Sequence, residues 1–211
     1  MTECKPVSTP FALKHGLHQD SNTLVDATQY RQIVGSLQYP TLTRPDISHV
    51  VNFVSQFMHR PTIIHLTAVK RILRYLNGTL DYGIRLLSNS TLNLYAFSEA
   101  DWDGCLKIRR STTGYNIYLG SNCIFWSSRK QPTVSRSSTE DEYRSMAAST
   151  ADLTWVTYLL RELGIGLDKP PVLFCDNISA HYLAKNPKFH ALQSTSSWII
   201  ILYKKRLLMI L

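Results

Sequence analysis

No two of the four cysteines, Cys4, Cys105, Cys123 and Cys175, stand at a metal-binding or redox spacing. Without a C-x-x-C pair, a zinc site is not expected. No secretory leader opens the chain, so the four are read as reduced, intracellular thiols. Long apolar runs are missing too. The run at 198–203 is broken by Lys204-Lys205-Arg206, far short of the ~20 residues a spanning helix needs, so no membrane partner is expected. Acidic residues are scarce: 15 Asp+Glu stand against 23 Lys+Arg, a net charge of +8. That excess favours a polyanionic partner and says nothing of fold. No internal repeat is present.

Six of the 15 acidic residues are gathered in three clusters, Ser98-Glu99-Ala100-Asp101-Trp102, Ser138-Thr139-Glu140-Asp141-Glu142-Tyr143 and Phe174-Cys175-Asp176-Asn177. Carboxylates at element ends in a basic chain suggest a metal-holding site that faces an anionic substrate.

Periodicity and punctuation set the framework. Residues 1–25 read as an irregular lead-in. Asp26 then stands as an N-cap before Tyr30, Ile33, Val34 and Leu37 at helical spacing, and Pro40 stops that helix. A second helix starts at Pro45-Asp46, buries Ile47, Val50, Val51, Val54, Phe57 and Met58, and ends at Pro61. A third runs from about Thr62 to Asn77, with Gly78 beyond it. Its polar side carries Lys70, Arg71 and Arg74, either an ordinary solvated face or a stripe contacting phosphates. From Leu92 the period becomes two. Strands are expected through 92–97, 115–119 and 123–127, with Gly120-Ser121-Asn122 as the intervening turn. A long helix over 139–163 follows, with Tyr143, Met146, Ala147, Val156, Leu159, Leu160 and Leu163 on one side. A short strand over 171–175 and a short helix over 178–185 complete an α/β domain with a mixed sheet, preceded by a small helical unit.

Residues two apart on a strand share a face, so Glu99 and Asp101 can point together. Asp176 ends another strand, and Glu142 lies in the first turn of the long helix. Glu142 has a second reading: with Thr139 as N-cap it would complete a capping box. Two Mg²⁺ ions about 4 Å apart activate a water and stabilise a leaving oxygen in phosphodiester hydrolysis. They take oxygen ligands from several elements, as these carboxylates could supply. His181 and His190 are candidates for proton transfer or phosphate contact, although an isolated histidine is more often structural. Trp102, Trp126 and Trp155 read as core or core-edge residues.

Six strings carry a family resemblance, in the family's order: YRQIVGSLQYPTLTRPDISHVVNFVSQFM, AVKRILRYLNGTLDYG, ADWDGC, RRSTTGY, WSSRKQPTVSRSSTEDEYRSMA and FCDNISAHYLAKNPKFHA. The chain resembles the C-terminal part of the Pol polyprotein of copia-type LTR retrotransposons, over residues 4–191. The resemblance implies a helical end or connection of reverse transcriptase over 1–90, without that enzyme's Tyr-x-Asp-Asp element. It implies a ribonuclease H-like domain over 91–191, with a mixed sheet and flanking helices. Such a domain cuts the RNA strand of RNA–DNA hybrids with two Mg²⁺, reading the hybrid by backbone and 2′-hydroxyl. Its catalytic and metal-binding carboxylates would be Glu99, Glu142 and Asp176. The implied partners are an RNA–DNA hybrid or other nucleic acid and, in an intact element, the remainder of the polyprotein.

Two departures imply that activity is impaired or lost, leaving at the least a nucleic-acid-binding remnant. The family has Asp-Ala-Asp-Trp where this chain has Glu99-Ala100-Asp101-Trp102. After Ala191 the family continues with a string like SKHIELDYHFVQEKV, which carries a last acidic ligand. This chain reads LQSTSSWIIILYKK instead. One permitted codon set for that stretch, read two bases later, gives Ser-Lys-His-Ile-Glu-Leu-Asp-Tyr-His-Phe-Val-Gln-Glu. Residues 192–211 are therefore read as an out-of-frame tail.

Overall fold

A computed structural model of the chain describes residues 4–12, 16–17, 23–102, 109–185 and 199–203. The chain divides into two compact units, one built on Met1–Ile84 and the other on Arg85–Met209.

Three helices make the first unit: α1 (Ala27–Gln38), α2 (Pro45–Ser55) and α3 (Ile63–Asn77). Asp26 caps α1, its carboxylate accepting from Thr28 N at 2.8 Å. Pro45 opens α2 at a position where a missing N–H costs nothing. The apolar faces meet through Tyr30, Val34 and Leu37, through Ile47, Val50, Val51 and Val54, and through Val69, Ile72 and Tyr75. Each aliphatic side chain buried there stabilises by about 1.5–3 kcal/mol. Helix α2 is shorter than its proline punctuation suggests. The Gln56 N–H turns back to the Phe53 and Val54 carbonyls, tightening the final turn. Phe57 leaves the helix and stacks on His65 with ring centroids 3.9 Å apart. His65 in turn accepts from Thr62 N through Nδ1, so its Nε2 carries the proton and donates to the Leu17 carbonyl at 2.9 Å.

The second unit is a five-stranded sheet in the order β3-β2-β1-β4-β5. Strand β1 (Leu94–Asp101) is central. It pairs antiparallel with β2 (Thr112–Leu119) and parallel with β4 (Val172–Cys175). Strand β3 (Asn122–Lys130) lies antiparallel to β2, and β5 (Ile200–Tyr203) parallel to β4. Helix α4 (Ser138–Glu162) enters the chain between β3 and β4, and α5 (Ile178–Lys185) follows β4. This is the ribonuclease H-like mixed sheet with flanking helices that the sequence implies. Strand β5 was not expected, because it lies inside the segment read as out of frame. Ile199 and Ile201 nevertheless pack on the core.

One sheet face, carrying Leu94, Ala96, Ile117, Leu173 and Cys175, is covered by Met146, Leu153, Val156 and Leu160 of α4 and by Ala180 and Ala184 of α5. The buried stripe of α4 differs from the expected one. Leu159 and Leu163 are exposed, as is Ala147, and the small Ser145 and Ser149 are fully buried instead. Ser145 Oγ donates to the Glu99 carbonyl at 2.8 Å, so the short side chains let α4 ride close over β1. Tyr115 on β2 anchors the same helix through a hydrogen bond to Asp152. The tryptophans are less buried than expected: Trp102 and Trp155 are both more than half exposed.

The β2–β3 turn depends on Gly120. Its φ is +59°, and a Cβ there would meet the Thr91 carbonyl oxygen at 2.3 Å. Its N–H also donates to Asn93 O at 2.8 Å. Gly120→Ala therefore combines left-handed strain with a backbone clash. It is expected to lower stability by on the order of 2 kcal/mol, a fall of roughly 5 °C in melting temperature that calorimetry would read.

Candidate active site

The acidic cluster at the start of α4 splits into three roles. Ser137, not Thr139, is the N-cap, its hydroxyl accepting from Glu140 N at 3.2 Å. Glu140 Oε2 accepts from Arg136 N at 2.8 Å, and Oε1 pairs with Arg144. With the helix end satisfied two residues earlier than the sequence suggested, Glu142 has no capping duty. Asp141 is fully buried near Ser135 and Gln131, whose Nε2 bridges Thr113 Oγ1 and the Asp141 carbonyl. Glu142 faces β1: its Oε1 accepts from Ala100 N at 3.1 Å. Its Oε2 is buried without a partner, and the residue is 6% exposed.

A similar division follows β4. Asn177 caps α5, its Oδ1 accepting from Ala180 N at 2.9 Å, which leaves its neighbour Asp176 uncommitted. The parallel register pairs Phe97 with Phe174. One pleat further along each strand, Glu99 and Asp176 come level on the same face. Opposite Glu99 on β2 is Gly114, which adds no side chain beside it.

The electrostatics tie these residues together. Burial, opposed by the Ala100 N–H and reinforced by the charges of Asp176, Glu99 and Asp141, pushes the Glu142 carboxyl up to about 8. Glu99 is also raised, by burial and then by the charges of Asp176 and Asp101. No lysine or arginine among the described residues forms an ion pair with Glu99, Asp101, Glu142 or Asp176. The three predicted carboxylates thus come from β1, α4 and the end of β4 to one neighbourhood, where the charge of Asp176 helps raise the carboxyls of Glu99 and Glu142.

Their chemistry fits a hard divalent cation: all donors are carboxylate oxygens, one of them orphaned and buried. They are not drawn in around one point. Among the described residues no group of three His, Cys, Asp or Glu side chains is gathered tightly enough to hold a metal ion as it stands.

Other candidates fare differently. His181, a candidate for proton transfer or phosphate contact, is 8% exposed, with its Nδ1 buried and unpartnered. His190 lies outside the described residues, as does Cys105; Cys4, Cys123 and Cys175 are free thiols. In the first unit Lys70 is exposed, whereas Arg71 donates to Thr9 Oγ1 at 2.8 Å and Arg74 to the Lys5 carbonyl at 2.7 Å. Both arginines hold the lead-in against α3. The sequence reading passed over basic residues nearer the carboxylates. Arg110 and Arg129 are exposed at the end of the sheet where Asp101 pairs with Thr112 and Thr113 with Arg129. The doublets Arg109-Arg110 and Arg129-Lys130, flanking two strands, were the available signal. No helix among the described residues is long and apolar enough to cross a membrane.

No family model matches the chain. Two curated relatives from Arabidopsis thaliana are the retrovirus-related Pol polyproteins from transposons RE1 and RE2, 55% and 54% identical over 192 residues. The alignments cover 90% of this chain, which spans 13% of the length of each relative. Among solved structures, the foamy viral protease-reverse transcriptase in complex with dsDNA is 14% identical, with a TM-score of 0.44 over 90% of this chain and 40% of that one.

Proposed function

Because this chain belongs to the retrovirus-related Pol polyproteins of transposons, we propose that it is a copia-type fragment in which a ribonuclease H-like domain follows the end of a reverse transcriptase. The domain derives from one that hydrolyses the RNA strand of RNA–DNA hybrids, and its activity is impaired in this copy. The observation that carries this reading is Glu142: a buried, half-unpartnered carboxyl aimed from α4 at β1, within the field of Glu99 and Asp176.

Glu99, Glu142 and Asp176 would hold Mg²⁺. When bound, such ions supply an activated water and stabilise the leaving oxygen of a phosphodiester. The chain's own residues do the positioning. The Ala100 N–H orients Glu142, the Asn177 cap fixes the turn that presents Asp176, and the Ser145 contact sets the height of α4 over Glu99. Arg110 and Arg129 supply positive charge for the nucleic-acid backbone. Impairment follows from Glu99, whose extra methylene displaces a carboxylate in a site sensitive to ångström shifts, and from the out-of-frame tail.

A Mg²⁺-dependent cleavage assay on a labelled RNA–DNA hybrid tests this. Cleavage by the unaltered chain is expected to be weak or absent, Glu99→Asp to raise it at least tenfold, and Glu142→Gln to abolish what remains. Turnover at the level of an intact family enzyme would refute impairment. The loose spacing of the carboxylates favours a second reading, a non-catalytic nucleic-acid-binding remnant. Salt-dependent hybrid binding, with no cleavage even by Glu99→Asp, would select it.

A further inference from the structure

The outer side of α4 lacks charge where a surface helix ordinarily carries it. Its exposed positions from 147 to 159 are Ala147, Ala148, Ala151, Trp155, Tyr158 and Leu159. The single charged residue between Arg144 and Arg161 is Asp152, half-buried and held to the sheet by Tyr115. Trp155, Tyr158 and Leu159 are 56%, 55% and 42% exposed. The helical repeat brings Ala148, Ala151, Trp155, Tyr158, Leu159 and Glu162 onto one side, with Arg144 at its upstream end. Apolar residues scattered singly over a surface need no partner, but a contiguous run of them marks an interaction site.

We infer that this face docks a second copy of the chain, in an antiparallel, two-fold symmetric pairing of α4 with α4. The run is graded in size: alanines fill its upstream half, and Trp155, Tyr158 and Leu159 its downstream half. A base, Arg144, bounds it at one end and an acid, Glu162, at the other. Antiparallel pairing gives each half its complement. With the two-fold axis level with Leu153, Trp155 of one copy rests on Ala151 of the other, Tyr158 and Leu159 meet Ala147 and Ala148, and Glu162 meets Arg144. Symmetry repeats every contact, so an ion pair closes each end. Arg144 already pairs with Glu140 at 2.6 Å, but its side chain is 33% exposed and open to a second carboxylate. The exposed apolar side chains offer roughly 500 Å² per copy, a total burial of about 1,000 Å², where specific interfaces begin. The dimer is therefore reversible, with a dissociation constant on the order of micromolar.

The test is sedimentation velocity of the full chain across the micromolar range, where the unaltered protein is expected to pass from monomer to dimer. Trp155→Glu should weaken the dimer about a hundredfold, because the loss falls on both symmetric contacts. Ala151→Trp adds apolar surface yet should weaken the dimer about tenfold, because two indoles then compete for the space of one. Arg144→Glu and Glu162→Arg should each weaken it several-fold, and the double variant Arg144→Glu/Glu162→Arg should return to within about threefold of the parent. Unchanged far-UV circular dichroism and melting temperature of the dilute variants verify their folds. A chain that stays monomeric throughout overturns the inference and leaves this face to another occupant, such as the remainder of the polyprotein. Dimerisation indifferent to Trp155→Glu, tighter association of Ala151→Trp, or a charge swap that restores nothing overturns it as well.

Discussion

Glu142→Gln is expected to make the metal-free protein more stable at pH 8, by on the order of 4 kcal/mol, while changing little at pH 4. The folded protein holds the Glu142 proton up to about pH 8, against an ordinary value of 4.5. Between those values the unfolded chain has released this proton and the folded chain has not. The native state binds more protons there, so its stability falls as pH rises through the window and is flat outside it. Glutamine fixes the neutral form. Its carbonyl can still accept from Ala100 N, and its amide can donate towards Glu99 and Asp176. Calorimetric melting from pH 4 to pH 9 without divalent cation checks this: the unaltered chain should lose stability across the window and the variant should lose far less. Adding Mn²⁺ at pH 8 should then raise the melting temperature of the unaltered chain and not that of the variant. A variant less stable than the parent at pH 8 without cation would show that Glu142 is held charged.

Arg44→Ala should be the most damaging single change in the first unit, costing about 3–5 kcal/mol. The Arg44 guanidinium donates from Nε and Nη2 to the two carboxylate oxygens of Asp46 at 2.9 and 2.8 Å. It also donates to the carbonyl and the hydroxyl of Thr79, each at 2.8 Å. The side chains of the pair are 7% and 23% exposed. Tyr75 donates to Asp46 Oδ2 at 2.7 Å, and the guanidinium lies 5.5 Å from the ring centres of both Tyr75 and Tyr82. Truncation strips both guanidinium hydrogen bonds from the Asp46 carboxylate, leaving it the Tyr75 hydroxyl alone, and removes the donors that Arg44 gives to Thr79 at the end of α3. Asp46→Asn keeps the shape and should cost less. For Asp46, burial raises the carboxyl, but the Arg44 and Tyr75 hydrogen bonds and the Arg44 charge outweigh it and hold it below its ordinary value of 3.8. The pair's contribution is therefore complete above that value and is lost as pH falls below it. All four tryptophans lie beyond residue 100, so their fluorescence does not report on this unit. Amide hydrogen exchange along α1, α2 and α3 does, and Arg44→Ala should accelerate it there. Unchanged protection would mean that the network contributes little.

The helices were legible because prolines and caps punctuate them: Asp26, Pro45, Thr62 and Gly78 mark ends that the structure keeps. Strands β1 to β4 followed from alternation and turn residues. The carboxylates at 99, 142 and 176 were legible through their residue type at element ends and through the resemblance. What escaped was whatever depends on neighbours distant in sequence. Ser137 rather than Thr139 caps α4, because the extended backbone at Ser137 lets its hydroxyl reach Glu140 N. Arg71 and Arg74 looked like a free basic stripe because nothing local reveals that Thr9 and Lys5 come back to meet them. The burial of His181 was not readable either, since it arises because α5 packs on the core through Ala180 and Ala184. Strand β5 could not be read at all: a short apolar run gains a ladder only once β4 is beside it.

The central place of β1 sets an order of assembly. Its partner on one side, β2, follows it closely along the chain, and β2 and β3 close through a tight turn. Its partner on the other side, β4, arrives only after the whole of α4. As the polypeptide leaves the ribosome, the hairpin and β1 can form a three-stranded sheet while Asp176 is still unmade. The long-range docking of β4 is the slow, entropically costly event. Glu99 and Asp176 therefore become neighbours late in folding, and their repulsion is imposed on a chain already committed to its native sheet.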